Sequence, residues 1–104
     1  MSLYTLIDSQ DGTALDLRAG DVVVLRLAEN PTTGYRWEVV EARGFEHEAD
    51  DFTGAPASGT GRGGERALRF KATATGAARI DLVLRRNWES AAPQRRYSIT
   101  ATIR

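Results

Sequence analysis

Apolar and polar residues alternate with a period of two along most of this chain, and no stripe at the helical period competes with that pattern. The C-terminal segment shows it most cleanly. Tyr97, Ile99, Ala101 and Ile103 fall on one side, and Ser98, Thr100, Thr102 and Arg104 on the other. Successive side chains of a strand point to opposite faces, so such a segment is a half-buried strand. Read the same way, Tyr4 to Asp8 is a first short strand, and Leu15 and Leu17 alternate with Asp16 and Arg18 in a second. From Asp21 to Leu27, Val23, Leu25 and Leu27 face a core and Arg26 faces water. From Arg36 to Val40, Trp37 and Val39 alternate with Glu38 and Val40. Phe45 to Phe52 is a weaker, acidic strand interrupted by Asp50-Asp51. Leu68, Phe70 and Ala72 alternate with Arg69 and Lys71, and Ile80, Leu82 and Leu84 with Asp81, Val83 and Arg85.

Turn signals at Asp11-Gly12, Ala19-Gly20-Asp21 and Gly76 punctuate these runs about every ten residues. Seven to eight short strands so spaced predict an all-β fold, an immunoglobulin-like antiparallel β-sandwich forming one domain over residues 1–104. A closed barrel is the competing arrangement. Burying each Leu, Ile or Phe contributes about 1.5 to 3 kcal/mol, so a dozen inward positions offset much of the ordering entropy.

Composition removes several function classes. Fourteen basic residues balance fourteen acidic ones, which leaves no electrostatic footprint for nucleic acid. The chain has no cysteine, so disulfides, thiolate nucleophiles and cysteine metal sites are out, as is the Cys-Trp-Cys hallmark of antibody domains. No apolar run is long enough to span a membrane as a helix. Met1 to Leu6 lacks the basic and apolar regions of a secretory signal. That leaves two compartments open: the cytoplasm, or an exported location whose signal has already been removed.

Enzyme chemistry finds little to work with. His47 is the single histidine and lies between Glu46 and Glu48. In a strand its neighbours point the other way, so Glu46 and His47 do not converge on a metal, and His47 is expected to be structural or simply exposed. No serine stands in a Gly-x-Ser-x-Gly elbow. Gly59 to Gly64 matches the letters of a dinucleotide-binding G-x-G-x-x-G. Yet a strand, not a helix N-terminus, is predicted to follow it, so the phosphate-binding physics is missing. No metal and no cofactor is implied.

Three connectors are unusual. In Asn30-Pro31-Thr32-Thr33-Gly34-Tyr35, proline fixes φ, two β-branched threonines stiffen the chain, and Gly34 allows it to reverse. Pro31 also disables the glycosylation sequon at Asn30. Thr53 to Gly64 holds five of the ten glycines, and a chain without side chains permits close backbone approach to a partner. Arg85 to Pro93 carries Trp88 in a polar context, and Trp and Arg are the residue types most enriched at interface hot spots. In an immunoglobulin-like sandwich these connectors join strands B–C, D–E and F–G, which emerge at one end.

The three segments resemble the signature loops of the chagasin-like inhibitors of cysteine peptidases. That family carries Asn-Pro-Thr-Thr-Gly-Tyr/Phe, matched from Asn30 to Tyr35, with a Trp two residues on, here Trp37. Its Gly-x-Gly-Gly is matched by Gly61-Arg62-Gly63-Gly64. Its Arg-Pro-Trp/Phe meets Arg86-Asn87-Trp88, where Asn replaces Pro. The resemblance covers nearly the whole chain. It implies a monomeric, reversible, tight-binding inhibitor of papain-like (clan CA) cysteine proteases, with no catalytic residue of its own. It further implies that Thr32 and Thr33 fill the centre of the target's cleft, that the glycine segment pairs along one side, and that Trp88, supported by Arg86, stacks on the other. The alternative reading is a non-inhibitory immunoglobulin-like binding or adhesion module using the same loop end.

Overall fold

The computed structural model describes residues 1–30, 33–54, 64–86 and 93–104. Eight strands run in chain order: β1 (Leu3–Ile7), β2 (Ala14–Leu17), β3 (Val22–Glu29), β4 (Tyr35–Arg43), β5 (Phe45–Thr53), β6 (Gly64–Ala72), β7 (Gly76–Arg86) and β8 (Arg95–Ile103). They form two four-stranded sheets, in the orders β1-β3-β6-β5 and β2-β8-β7-β4. This is the immunoglobulin-like sandwich that the alternation predicts. Among the described residues no helix is long and apolar enough to cross a membrane.

The inward parity positions are the core. Val23, Leu25 and Leu27 of β3, Leu68 and Phe70 of β6, Ile80 of β7, and Tyr97 and Ile99 of β8 are each 0% exposed. Trp37 meets Tyr97 edge-on at 6.3 Å, and Phe45 meets Phe70 edge-on at 6.4 Å. The Tyr97 hydroxyl donates to the Ile7 carbonyl at 2.8 Å, joining one sheet to the edge of the other. Burial, helped by the nearby charges of Asp11 and Asp8, pushes that phenol up to about 12.

Several strands run longer than expected, β4 to Arg43 and β3 to Glu29 among them, and three further differences bear on the packing. β1 ends at Ile7, and Asp8 begins a short 3₁₀ turn whose carboxylate caps the Ala28 N–H, so Asp8 is used locally rather than in the ladder. The two N-terminal strands pair in parallel, β1 with β3 and β2 with β8, around an otherwise antiparallel core. Val83, at a solvent-side parity position, is only 5% exposed. It sits between Glu38 and Arg96 in the register, where longer side chains flank it. The two long outer strands, β4 and β5, both carry a register irregularity, at Val39/Glu41 and His47/Ala49. Such bulges blunt an exposed edge against pairing with other chains.

Candidate functional site

The ladders decide where the connectors emerge. Glu29, the last residue of β3, lies opposite Gly64, the first of β6, and Thr53 of β5 lies opposite Glu65. In the other sheet, Tyr35 lies opposite Arg86, and Leu84 opposite Arg95. The roots of all three connectors therefore share one end of the sandwich. Of the residues expected to form the binding surface, the structure describes Asn30, Thr33, Gly34, Tyr35, Gly64 and Arg86. Pro31, Thr32, Gly61, Arg62, Gly63, Asn87 and Trp88 lie outside the described residues.

The first connector is closed by its own polar atoms. The Thr33 N–H and hydroxyl both donate to the Asn30 carbonyl, at 3.2 and 2.7 Å. The Tyr35 N–H in turn donates to the Thr33 hydroxyl at 3.3 Å. Gly34 stands at φ +80°, the left-handed region where a side chain is strained. Threonine and glycine here thus act on backbone geometry, as their spacing suggested.

Arg86 comes from the root of the third connector and braces the first. Its Nε donates to the Thr33 carbonyl at 2.9 Å, and its guanidinium lies 4.5 Å from the centroid of the Tyr35 ring. The chagasin-like resemblance assigned Arg86 to the support of Trp88. Its described contacts add a second task, tying two connectors together.

Beneath this edge lies a cluster that the sequence reading missed. Glu29 is 4% exposed and Arg66 9%. Arg66 Nη2 donates to Glu29 Oε2 at 2.6 Å, its Nε approaches both carboxylate oxygens at 3.2 and 3.3 Å, and its Nη1 reaches Asp50 Oδ1 at 2.7 Å. These carboxylates raise the arginine's already high pKa against the opposing effect of burial, Glu29 contributing most. Glu29 Oε1 also accepts the Trp37 N–H at 2.8 Å, and the Trp37 indole donates to the Ala28 carbonyl at 2.9 Å. One carboxylate therefore fastens both ends of the first connector and the strand leaving the glycine connector. The signal was present in the sequence: Glu29 continues the inward series Val23, Leu25, Leu27, and Arg66 opens the inward series Leu68, Phe70, Ala72. Opposite charges at inward positions of two strands point to a buried pair.

Gly64 has a reason of its own. A Cβ there would collide with the Thr53 carbonyl oxygen and would come within 2.7 Å of the Phe52 ring and 2.9 Å of Gly54 Cα. The fold itself demands glycine at this root. His47 is exposed, stacked on Phe70 at 4.8 Å with its Nε2 3.0 Å from the Ala49 carbonyl. Among the described residues no group of three or more His, Cys, Asp or Glu gathers as a metal site would require.

The family described as Chagasin family peptidase inhibitor I42 matches residues 16–103. The chain belongs to this family. It is a peptidase inhibitor and not an enzyme. Amoebiasin-1 of Entamoeba histolytica is 29% identical over 100 residues, covering 95% of this chain and 98% of that protein. The crystal structure of the cysteine protease inhibitor EhICP2, from the same organism, superposes with a TM-score of 0.89 at 27% identity, over 100% of this chain and 97% of that one. PbICP-C, solved in complex with falcipain-2, shares the fold with a TM-score of 0.65 at 15% identity, over 98% of this chain and 89% of that one. The described residues of the chagasin-like motifs, Asn30, Thr33, Gly34, Tyr35, Gly64 and Arg86, lie at the end of the sandwich where the connectors are rooted.

Proposed function

We propose that this chain reversibly inhibits papain-like (clan CA) cysteine proteases by laying its three connectors across the active-site cleft. The observation that carries the reading is the convergence of the connector roots on one end, fastened through Glu29, Arg66 and Arg86. An inhibitor must fill the cleft without offering a peptide bond in attack geometry, and a loop already held in shape loses little entropy on docking. In this reading Asn30, Pro31, Thr32, Thr33, Gly34 and Tyr35 form the central wedge, with Thr32 and Thr33 over the catalytic cysteine and histidine. Gly61 to Gly64 run backbone to backbone along one wall. Trp88, with Arg86 and Asn87, stacks against the other. Three connectors together bury on the order of 1,600 Å².

Titration of the purified chain against papain, following hydrolysis of a fluorogenic peptide, tests this. Stoichiometric or nanomolar inhibition is expected, and Trp88→Ala should weaken it by about 2 kcal/mol, roughly thirtyfold in Kd. Absence of inhibition at micromolar concentration sinks the reading.

A further inference from the structure

Zero net charge conceals a division across the loop end. On the β4–β7–β8 side, Arg36, Arg95 and Arg96 are exposed. Arg85 is matched there by a two-pronged pair with Glu38 at 2.9 and 3.0 Å. Counting Arg86 as well, five arginines stand against that one carboxylate, a surplus of four positive charges among the side's described residues. On the β3–β6–β5 side, Arg26 and Glu65 cancel at 2.6 Å. Glu29 and Asp50 share the one guanidinium of Arg66. With Asp8 and exposed Asp51, that side has a surplus of three negative charges among its described residues. The two sheets of a sandwich lie about 10 Å apart, close to one Debye length at physiological salt, so the two surpluses do not average out at the surface.

We infer that the loop end is a charge-oriented docking surface, selective for papain-like proteases whose cleft wall facing the third connector is acidic and whose opposite wall is neutral or basic. The inference rests on the inhibitory reading above and specifies the partner within it. The third connector is rooted in β7 and β8, beside the arginines. The glycine connector is rooted in β5 and β6, beside the carboxylates. A target with the matching asymmetry meets complementary potential on both walls in one orientation and repulsion on both in the flipped one. Complementarity of this kind governs encounter more than residence.

The test uses the full chain and two papain variants, one with three added aspartates and one with three added lysines on the wall that receives the third connector. At 20 mM NaCl the chain should associate at least tenfold faster with the aspartate variant, and at 500 mM NaCl the ratio should shrink to within about threefold. Arg36→Glu combined with Arg96→Glu cancels the surplus and should abolish the preference while leaving dissociation rates within about twofold. The neutral pair Arg36→Gln and Arg96→Gln should roughly halve the surplus and reduce the preference without abolishing it, and thermal unfolding of each variant checks that it is folded. Equal association of the unaltered chain with both papains, independent of salt, overturns the inference and leaves inhibition standing. Failure to inhibit either papain at micromolar concentration overturns both readings.

Discussion

Strand β3 ends in a buried carboxylate at both poles, and the two are held in different ways. Asp21, just before the strand, is 4% exposed and is satisfied wholly by backbone: Oδ1 accepts the Ser2 N–H and Oδ2 the Arg18 N–H, each at 2.8 Å. Glu29, at the far end, is equally buried but leans on a side chain, the Arg66 guanidinium, as well as on the Trp37 N–H. Backbone donors come with the fold and hold a turn shut. A guanidinium must itself be desolvated, and in return it links three strands, β3, β5 and β6, under the loops. The pole away from the connectors uses backbone donors alone; the pole proposed to bind uses a side-chain ionic node.

The largest expected effect comes from breaking that node. Arg66→Ala leaves Glu29 buried without its counter-charge, a change that costs about 3 to 5 kcal/mol. For a domain of this size that is a fall in Tm of roughly 12 to 24 °C, read by calorimetry. Replacing both Glu29 and Arg66 by Met should restore much of the stability, because no buried charge is left unpaired and the freed Asp50 carboxylate is exposed to water. The Trp37 N–H then has no acceptor, and inhibition of papain should stay weakened by at least tenfold. If the double variant recovers inhibition together with stability, the node serves the fold alone and the contrast between the poles collapses.

The β-sandwich was legible in the sequence because burial follows parity: Val23, Leu25 and Leu27 were placed inward from alternation alone and are each 0% exposed. Gly34 was legible as a reversal because only glycine takes φ +80° freely. The direction of the outer strands was not, since parity is the same whether Leu3–Ile7 lies parallel or antiparallel to β3. Glu29 and Arg66 were overlooked because charged residues at strand ends are usually solvated, although their inward parity marked them. Gly64 looked like part of a run suited to a partner's backbone; the space set by Thr53 and Gly54 shows a second, internal reason. Arg86 reads in sequence as a neighbour of Trp88, and only the register, which sets it opposite Tyr35, reveals its reach to Thr33.

A smaller effect separates bracing from folding at the binding pole itself. Arg86→Gln removes the bond to the Thr33 carbonyl and the cation over Tyr35, together about 1 to 2 kcal/mol. The first connector would then keep its own Asn30–Thr33–Tyr35 bonds but lose part of its bracing, and more ordering would fall to the binding step. Dissociation from papain should speed up about tenfold while Tm moves by less than about 3 °C. A large fall in Tm with unchanged dissociation would make Arg86 a component of the fold, like Asp21, rather than of the binding edge.

The smallest effect on binding belongs to the other pole. Hydrogen bonds from the Arg18 and Ser2 amides hold the Asp21 carboxyl below its ordinary value of 3.8, outweighing the upward push of burial. A folded pKa below the unfolded one means that Asp21 stabilises the fold above the ordinary carboxyl range. That contribution is lost as pH drops below about 4 toward the depressed value. Asp21→Asn keeps one acceptor oxygen but turns an amide NH₂ toward the second backbone N–H, so the variant should unfold at lower denaturant concentration at pH 7. Its stability should also depend less steeply on pH between about 4 and 2 than that of the unaltered chain. Inhibition of papain at pH 7 should stay within twofold, because the Asp21 turn lies at the end of β3 remote from the connectors. Weakened inhibition in a variant that remains fully folded would show that the two poles are coupled along β3, and the division of labour between its two carboxylates would have to be abandoned.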